Sequence, residues 1–287
     1  MVLALVACRH PKPAPPSDPL AVELTIPGAE PRRLVHYAIA KGTKVPLELA
    51  IDANMMMGNL GGPIPTQVFD VEVAIDEVLA DGRMQVRTTI VDAHAREVAE
   101  SKVDVAALVA RLTAVKGVAF TGTLSPDGKL VGAHVDSPGK TLPPEIAQQA
   151  DTLMQSFEHV AMPLPHEPIG VGAKWKTTRE LEQNGIKTTT INVVDVTALD
   201  GEKLSFRLQT ELHGVDQTVV MGATPIDVTN LGGSGAGSGT IDLAHFAMTG
   251  ELVATMHATM TTQGEASGLV FEMKTTIGPT QGAQSAP

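Results

Sequence analysis

From Leu20 onward the chain alternates apolar and polar residues with a period of two. Val35, Tyr37 and Ile39 alternate with Leu34, His36 and Ala38, and Val45, Leu47, Leu49 and Ile51 with Pro46, Glu48, Ala50 and Asp52. Phe69, Val71, Val73 and Ile75 face away from Asp70, Glu72 and Asp76, and Met84, Val86 and Ile90 continue the pattern. Successive side chains of a strand point to opposite faces, so this period predicts strands with one buried face. Turn signals separate them: "ADG" at 80–82, "SPDG" at 125–128 between Val118–Thr123 and Lys129–Val135, and "LDG" at 199–201. After "PLPHEP" (163–168) further strands are expected from Ala173, over Thr188–Thr197, over Leu204–Leu212, over Leu252–Thr262 and over Leu269–Ile277. The run "LGGSGAGSG" (231–239) reads as a flexible connection or strand kink leading into Thr240–Ala244.

The period changes to 3.6 in two places. Val105, Leu108, Val109 and Leu112 predict a helix after Ser101, with Asp104 three residues on in a capping-box-like start. Ile146, Ala150, Leu153, Phe157 and Val160 mark one face of a second helix that begins near Pro143 and Pro144, where proline is tolerated.

The fold class expected is α+β, mostly β: a curved antiparallel sheet, half-barrel or sandwich with two packed helices. Two helices cover little of such a sheet, so its apolar face must curl on itself, meet a second sheet, or stay partly open as a cavity. An internal duplication is also suggested. "EVLADGRMQVRTTI" (77–90) is similar to "DVTALDGEKLSFRL" (195–208), and "FTGTLSPDGKLVGAHV" (120–135) to "GSGTIDLAHFAMTGELVATMHA" (237–258). The organisation read from these patterns is 1–8 as a truncated signal, 9–19 as a tether, 20–277 as one β-rich body with halves of about 20–160 and 161–277, and 278–287 as a tail.

Composition narrows the function. The net charge is −11 and aromatic residues are only 3% of 287. Nucleic acid needs basic stripes and stacking platforms, so a nucleic-acid partner is excluded, as is attachment to a membrane through a polybasic surface. A core so poor in aromatics has to be built from aliphatic residues and methionine.

The single cysteine allows no internal disulfide. It follows Leu5-Val6-Ala7, and Leu5-Val6-Ala7-Cys8 resembles the lipobox of bacterial lipoproteins. That resemblance implies diacylglycerol on the Cys8 thiol and acylation of the amine exposed by cleavage; each buried CH₂ of such chains contributes about 0.8 kcal/mol. Only Val2–Ala7 precede the cysteine, without Lys or Arg, so the expectation is a start assigned too far downstream or a chain that begins within its signal. The next stretch, "RHPKPAPPSDP" (9–19), has five prolines and favours an extended tether of roughly 30 Å. Arg9 stands where enterobacterial inner-membrane retention would place aspartate, so the resemblance implies the cell envelope, at the outer membrane facing the periplasm or the surface. "GVGAKW" (170–175) after a proline-rich linker is similar to uncharacterised secreted lipoproteins of Gram-negative bacteria. The expected architecture also resembles the half-barrels of lipoprotein carriers.

Little points to catalysis. The nine histidines show neither H-x-H nor H-E-x-x-H spacing, so scattered surface histidines are expected and no metal or cofactor is assigned. Met256 and Met260 share a strand face while His257 points away, which fits core filling better than copper binding. The glycine run lacks the G-x-S-x-G turn and any phosphate-binding signature. Asp70, Glu72 and Asp76 read as a solvated face that protects a sheet edge. The expected function is therefore a non-enzymatic envelope lipoprotein that binds a hydrophobic ligand or supports envelope assembly. A structural module docking another envelope protein is the alternative, and a secreted hydrolase the third reading. The residues expected to touch a hydrophobic ligand are Leu153, Met154, Phe157, Phe206 and Leu208.

Overall fold

A computed structural model describes residues 20–136, 161–183, 185–221 and 224–280. Cys8, the tether, the second expected helix with Leu153, Met154 and Phe157, and residues 281–287 lie outside the described residues. Among the described residues there are thirteen strands and one helix: β1 (Leu20–Ile26), β2 (Lys44–Met57), β3 (Leu60–Val78), β4 (Met84–Arg96), α1 (Val105–Ala114), β5 (Ala119–Leu124), β6 (Leu130–Asp136), β7 (Lys174–Gln183), β8 (Ile186–Asp200), β9 (Lys203–Gly214), β10 (Gln217–Met221), β11 (Thr224–Asp242), β12 (Met248–Thr262) and β13 (Glu265–Pro279).

All thirteen strands belong to one open antiparallel sheet in the order β1-β7-β8-β9-β11-β12-β13-β2-β3-β4-β5-β6, with β10 pairing β11 beside that path. The sheet is thus one continuous layer, not a sandwich of two. It consists of two meanders, β2 to β6 and β7 to β13, joined where the last strand pairs β2. The two pairs of similar segments noted in the sequence fall on hairpins in the same order: β3–β4 and β5–β6 in the first meander, β8–β9 and β11–β12 in the second.

One end of the sheet is closed. Segments 27–43 and 161–173 cross it, and their backbone groups bond to turns: Tyr37 N–H to Pro126 O (2.8 Å), Ala38 N–H to Leu243 O (3.1 Å) and Leu164 N–H to Asp127 O (2.8 Å). Val35, Tyr37 and Ile39 are buried with the alternation expected of a strand, but this stretch pairs with turns and is no sheet strand. The core gathers here, and residues from both flanks of the sheet belong to it, including Val73 and Ile75 on β3 and Trp175, Val194 and Leu204 on β7 to β9. Its few aromatics are placed centrally. Trp175 is fully buried and its Nε1 donates to Pro163 O at 2.9 Å. The buried Tyr37 hydroxyl donates to Met162 O (3.1 Å) and accepts from Met162 N–H (3.0 Å), and its ring tilts against Phe246 with centroids 5.8 Å apart. Burial pushes the Tyr37 hydroxyl pKa up.

Two further expectations are corrected. The α1 N-cap is Asp104, whose carboxylate accepts from Ala106 N–H (2.9 Å) and Ala107 N–H (3.3 Å), while Ser101 serves a local turn through Val103 N–H. The shorter loop to the aspartate puts its oxygen over the free amides of the first turn. The glycine run is no connection: it lies inside β11, a strand of 19 residues hydrogen-bonded to β9 and β12 along its length.

Candidate ligand-binding face

Cross-strand register arranges the apolar residues in rows over five adjacent strands, β9, β11, β12, β13 and β2. Phe206, Gly239, Gly250, Ile277 and Leu49 stand side by side, and the next row is Leu208, Gly237, Leu252, Thr275 and Ile51. Two rows further along come Leu212, Gly233, Met256, Phe271 and Met55. The intervening residues on the other face are mostly polar, with Arg207, Gln209 and Glu211 on β9, Glu251 and Thr255 on β12 and Glu272 and Lys274 on β13, and with Val253 and Val270 as exposed exceptions; Lys274 pairs with Glu251 at 3.2 Å. A strand that separates hydrocarbon from charge so cleanly has one face made for an apolar environment. Yet Phe206, Leu208, Leu252, Phe271 and Met273 are only half-buried. Among the described residues, segments 27–43 and 161–173 cover the closed end, and beyond it these side chains stay half-buried.

Glycine shapes this face. Gly233, Gly235, Gly237 and Gly239 all sit on the inner side of β11, and a Cβ on Gly237 would lie 2.4 Å from Glu251 O on β12. Equivalent contacts of 2.6 Å with backbone oxygens of β12 await a Cβ on Gly233 or Gly239. Close backbone approach of this kind admits only glycine and marks a sharp bend in a sheet. It also leaves a furrow without side chains between β9 and β12.

Two hollows lie along the face. One, of about 180 Å³, is walled by Phe206, Leu208, Met248, Leu252 and Ile277, with Asn192 and Thr177 at its side. Asn192 Nδ2 donates to Thr177 Oγ1 at 3.4 Å, a polar pair beside an otherwise hydrocarbon wall. The other, of about 380 Å³, lies at the opposite end and is of mixed character, with Met57, Ile226 and Met260 beside Thr262, Gln263, Glu265 and Ser267. The first is smaller than the roughly 300–1,000 Å³ of pockets that enclose a drug-sized ligand.

The structure places Phe206 and Leu208 in one wall, while Leu153, Met154 and Phe157 lie outside the described residues. Leu252, Met248 and Ile277 were not anticipated as ligand contacts, although their strands were. Their even spacing was visible, but the rows depend on register between β13 and β2, which lie far apart in the chain.

The polar face carries a second grouping. Glu48, Asp70 and Asp92 stand side by side on β2, β3 and β4. Single ligand atoms of Asp70, Asp92 and His94 lie within 4.8 Å of one another. Like charges directly opposite on neighbouring strands repel. Arg96 answers Glu48 at 2.8 Å and Lys116 answers Asp92 at 3.1 Å. Asp70 Oδ1 is shielded from solvent without a hydrogen-bond partner. Burial, and then the Glu48 charge, pushes the Asp70 pKa up, whereas the Lys116 hydrogen bond holds that of Asp92 down. Two carboxylates and an imidazole are ligand types that a divalent cation accepts, but two flanking cations already balance the outer carboxylates. Sequence spacing missed this grouping, because a cross-strand neighbour brings Asp70 to the D-x-H pair of β4.

No family model matches the chain, and no curated protein matches it. Among solved structures, one concerned with lipid–protein interactions in lipovitellin is similar, with a TM-score of 0.50 and 12% identity over 87% of this chain and 26% of that one. The present chain thus spans about a quarter of the length of the lipovitellin chain. At that identity the likeness is one of fold: a large, open β layer.

Proposed function

We propose that this chain is a non-enzymatic, lipid-anchored protein of the bacterial cell envelope whose inner sheet face holds the hydrocarbon part of a hydrophobic ligand. The observation that carries the reading is the set of apolar rows over five strands, half-buried among the described residues and ending in a hollow between Phe206, Leu208 and Leu252. Burying apolar area contributes roughly 25 cal/mol per Å², so a ligand chain lying along these rows gains from each methylene it places there. The similarity in fold to a protein studied for its lipid interactions supports the same reading. The lipobox-like Leu5-Val6-Ala7-Cys8 supports anchoring at the envelope, with the outer membrane as the site. The shared order of hairpins in the two meanders supports an origin by internal duplication.

Native mass spectrometry tests the proposal. A full chain secreted through the bacterial envelope, with Cys8→Ser to prevent acylation, should carry hydrophobic adducts of discrete mass. Leu208→Glu, which puts a carboxylate into the wall of the hollow, should lose them while remaining folded. A chain that emerges empty in repeated preparations, or adducts that persist in Leu208→Glu, would overturn the reading.

A further inference from the structure

The unclosed end of the sheet gathers four features. The β2–β3 turn between Met57 and Leu60, the β10–β11 turn between Met221 and Thr224, and the β12–β13 turn between Thr262 and Glu265 all lie there. Apolar side chains project from it into solvent: Leu60 is 78% exposed, Val220 68%, and Met55 and Met57 nearly half. The larger hollow of the inner face, between Met57, Ile226 and Met260, is at this same end. The described chain also enters here. Leu20 pairs Arg179 near the end of β7, and Lys187, just after the β7–β8 turn, donates its backbone N–H to Gln217 Oε1 at the start of β10 (2.8 Å).

Reach decides which end can meet a membrane. Residues 9–19, between Cys8 and β1, number eleven and span at most about 40 Å when fully extended. The 15 residues of β12 alone run roughly 50 Å from the entry end to the closed end. The closed end also exposes apolar residues, Leu34 at 60% among them, but segments 27–43 and 161–173 stand between it and the inner face.

We infer that the tips of the β2–β3 and β12–β13 hairpins and the end of β10, with Leu60, Met57 and Val220 foremost, form a docking surface for a lipid bilayer, and that hydrocarbon passes between the bilayer and the inner face at this end. The inference rests on the reading of the inner face as a lipid site and adds to it the surface through which that site is filled. Among the described residues this rim carries Glu182, Lys187, Asp216, Asp227 and Glu265, without a basic cluster. Docking is therefore by apolar insertion and does not need anionic lipid.

The test uses the full chain with Cys8→Ser, so that Leu60→Cys or Leu34→Cys supplies the sole attachment point for a polarity-sensitive dye. With phosphatidylcholine vesicles, the dye at position 60 should shift to the blue and the dye at position 34 should not. Both positions are exposed, so neither change threatens folding. In a second arm, Leu60→Glu with Val220→Glu, two exposed residues that line neither hollow, should lower the vesicle-bound fraction about tenfold, as expected when apolar insertion is lost. Uptake of a soluble hydrophobic fluorophore by the inner face should be unchanged. No shift at position 60, an equal shift at position 34, or unaltered vesicle binding by the double variant would overturn the docking surface. Insertion at position 60 by a chain that takes up no fluorophore would keep the docking surface and overturn the inner-face reading instead.

Discussion

Gly237→Ala tests the account of how β11 shapes the inner face. The added methyl would sit 2.4 Å from Glu251 O and 3.1 Å from Leu252 Cα, both backbone atoms of β12 that no rotamer change can move aside. Overpacking of this kind costs roughly 1–3 kcal/mol. Replacing glycine by alanine in a strand returns about 0.5–1 kcal/mol through the unfolded chain. The net expectation is a loss of about 1–2 kcal/mol, a fall in Tm of roughly 2–8 °C for a domain of this size. Gly268→Ala is the matched control: it is also a strand glycine, and nothing lies within 4 Å of its Cβ position. It should melt within about 0.5 kcal/mol of wild type, or slightly above it. Thermal unfolding followed by far-UV circular dichroism reads both variants. If Gly237→Ala melts no lower than Gly268→Ala, the backbone of β12 does not approach β11 as described and the bend has another cause.

Other substitutions probe the remaining parts. Tyr37→Phe removes both hydrogen bonds to Met162 and leaves its buried N–H and C=O unmatched, so stability should fall by about 1–3 kcal/mol in denaturant titration. Asp70 has its pKa raised in the folded state, so its contribution is fully present below the unfolded value of 3.8 and is lost as pH rises through the folded one. Asp70→Asn should therefore match wild type in acid and exceed its Tm increasingly toward neutral pH, by roughly a few tenths of a kcal/mol given solvent screening; a constant difference across pH would refute that assignment. For a precursor bearing a complete signal, Cys8→Ser should move the protein from the detergent phase to the aqueous phase on phase separation, and unchanged partitioning would refute acylation at Cys8.

Where the pattern was local, the elements were legible. The hairpins at 80–82, 125–128 and 199–201 carry their own turn residues, and the long strands carry alternation that survives any environment with one buried side. Val35–Ile39 shows the limit. Alternate burial was read correctly, but burial under crossing segments produces the same period as pairing in a sheet, and only the hydrogen-bond partners distinguish them. The glycine run misled for a related reason. Glycine signals flexibility when its neighbours are polar and unpaired, and here it answers a close approach by a strand that follows it in the chain.

The sequence by itself determined that this protein is built of amphipathic strands, poor in aromatics, acidic, and without the spacing of a catalytic motif, because these properties are carried by individual residues and their immediate neighbours. Tertiary structure alone decided that β13 closes against β2, that Leu252 and Ile277 join Phe206 and Leu208 in one wall, and that Asp70 meets Asp92 and His94. It likewise decided that the chain enters at the same end as the exposed hairpin tips. The physical reason is that register between strands more than 200 residues apart, such as β2 and β13, is set by the packing of the whole sheet.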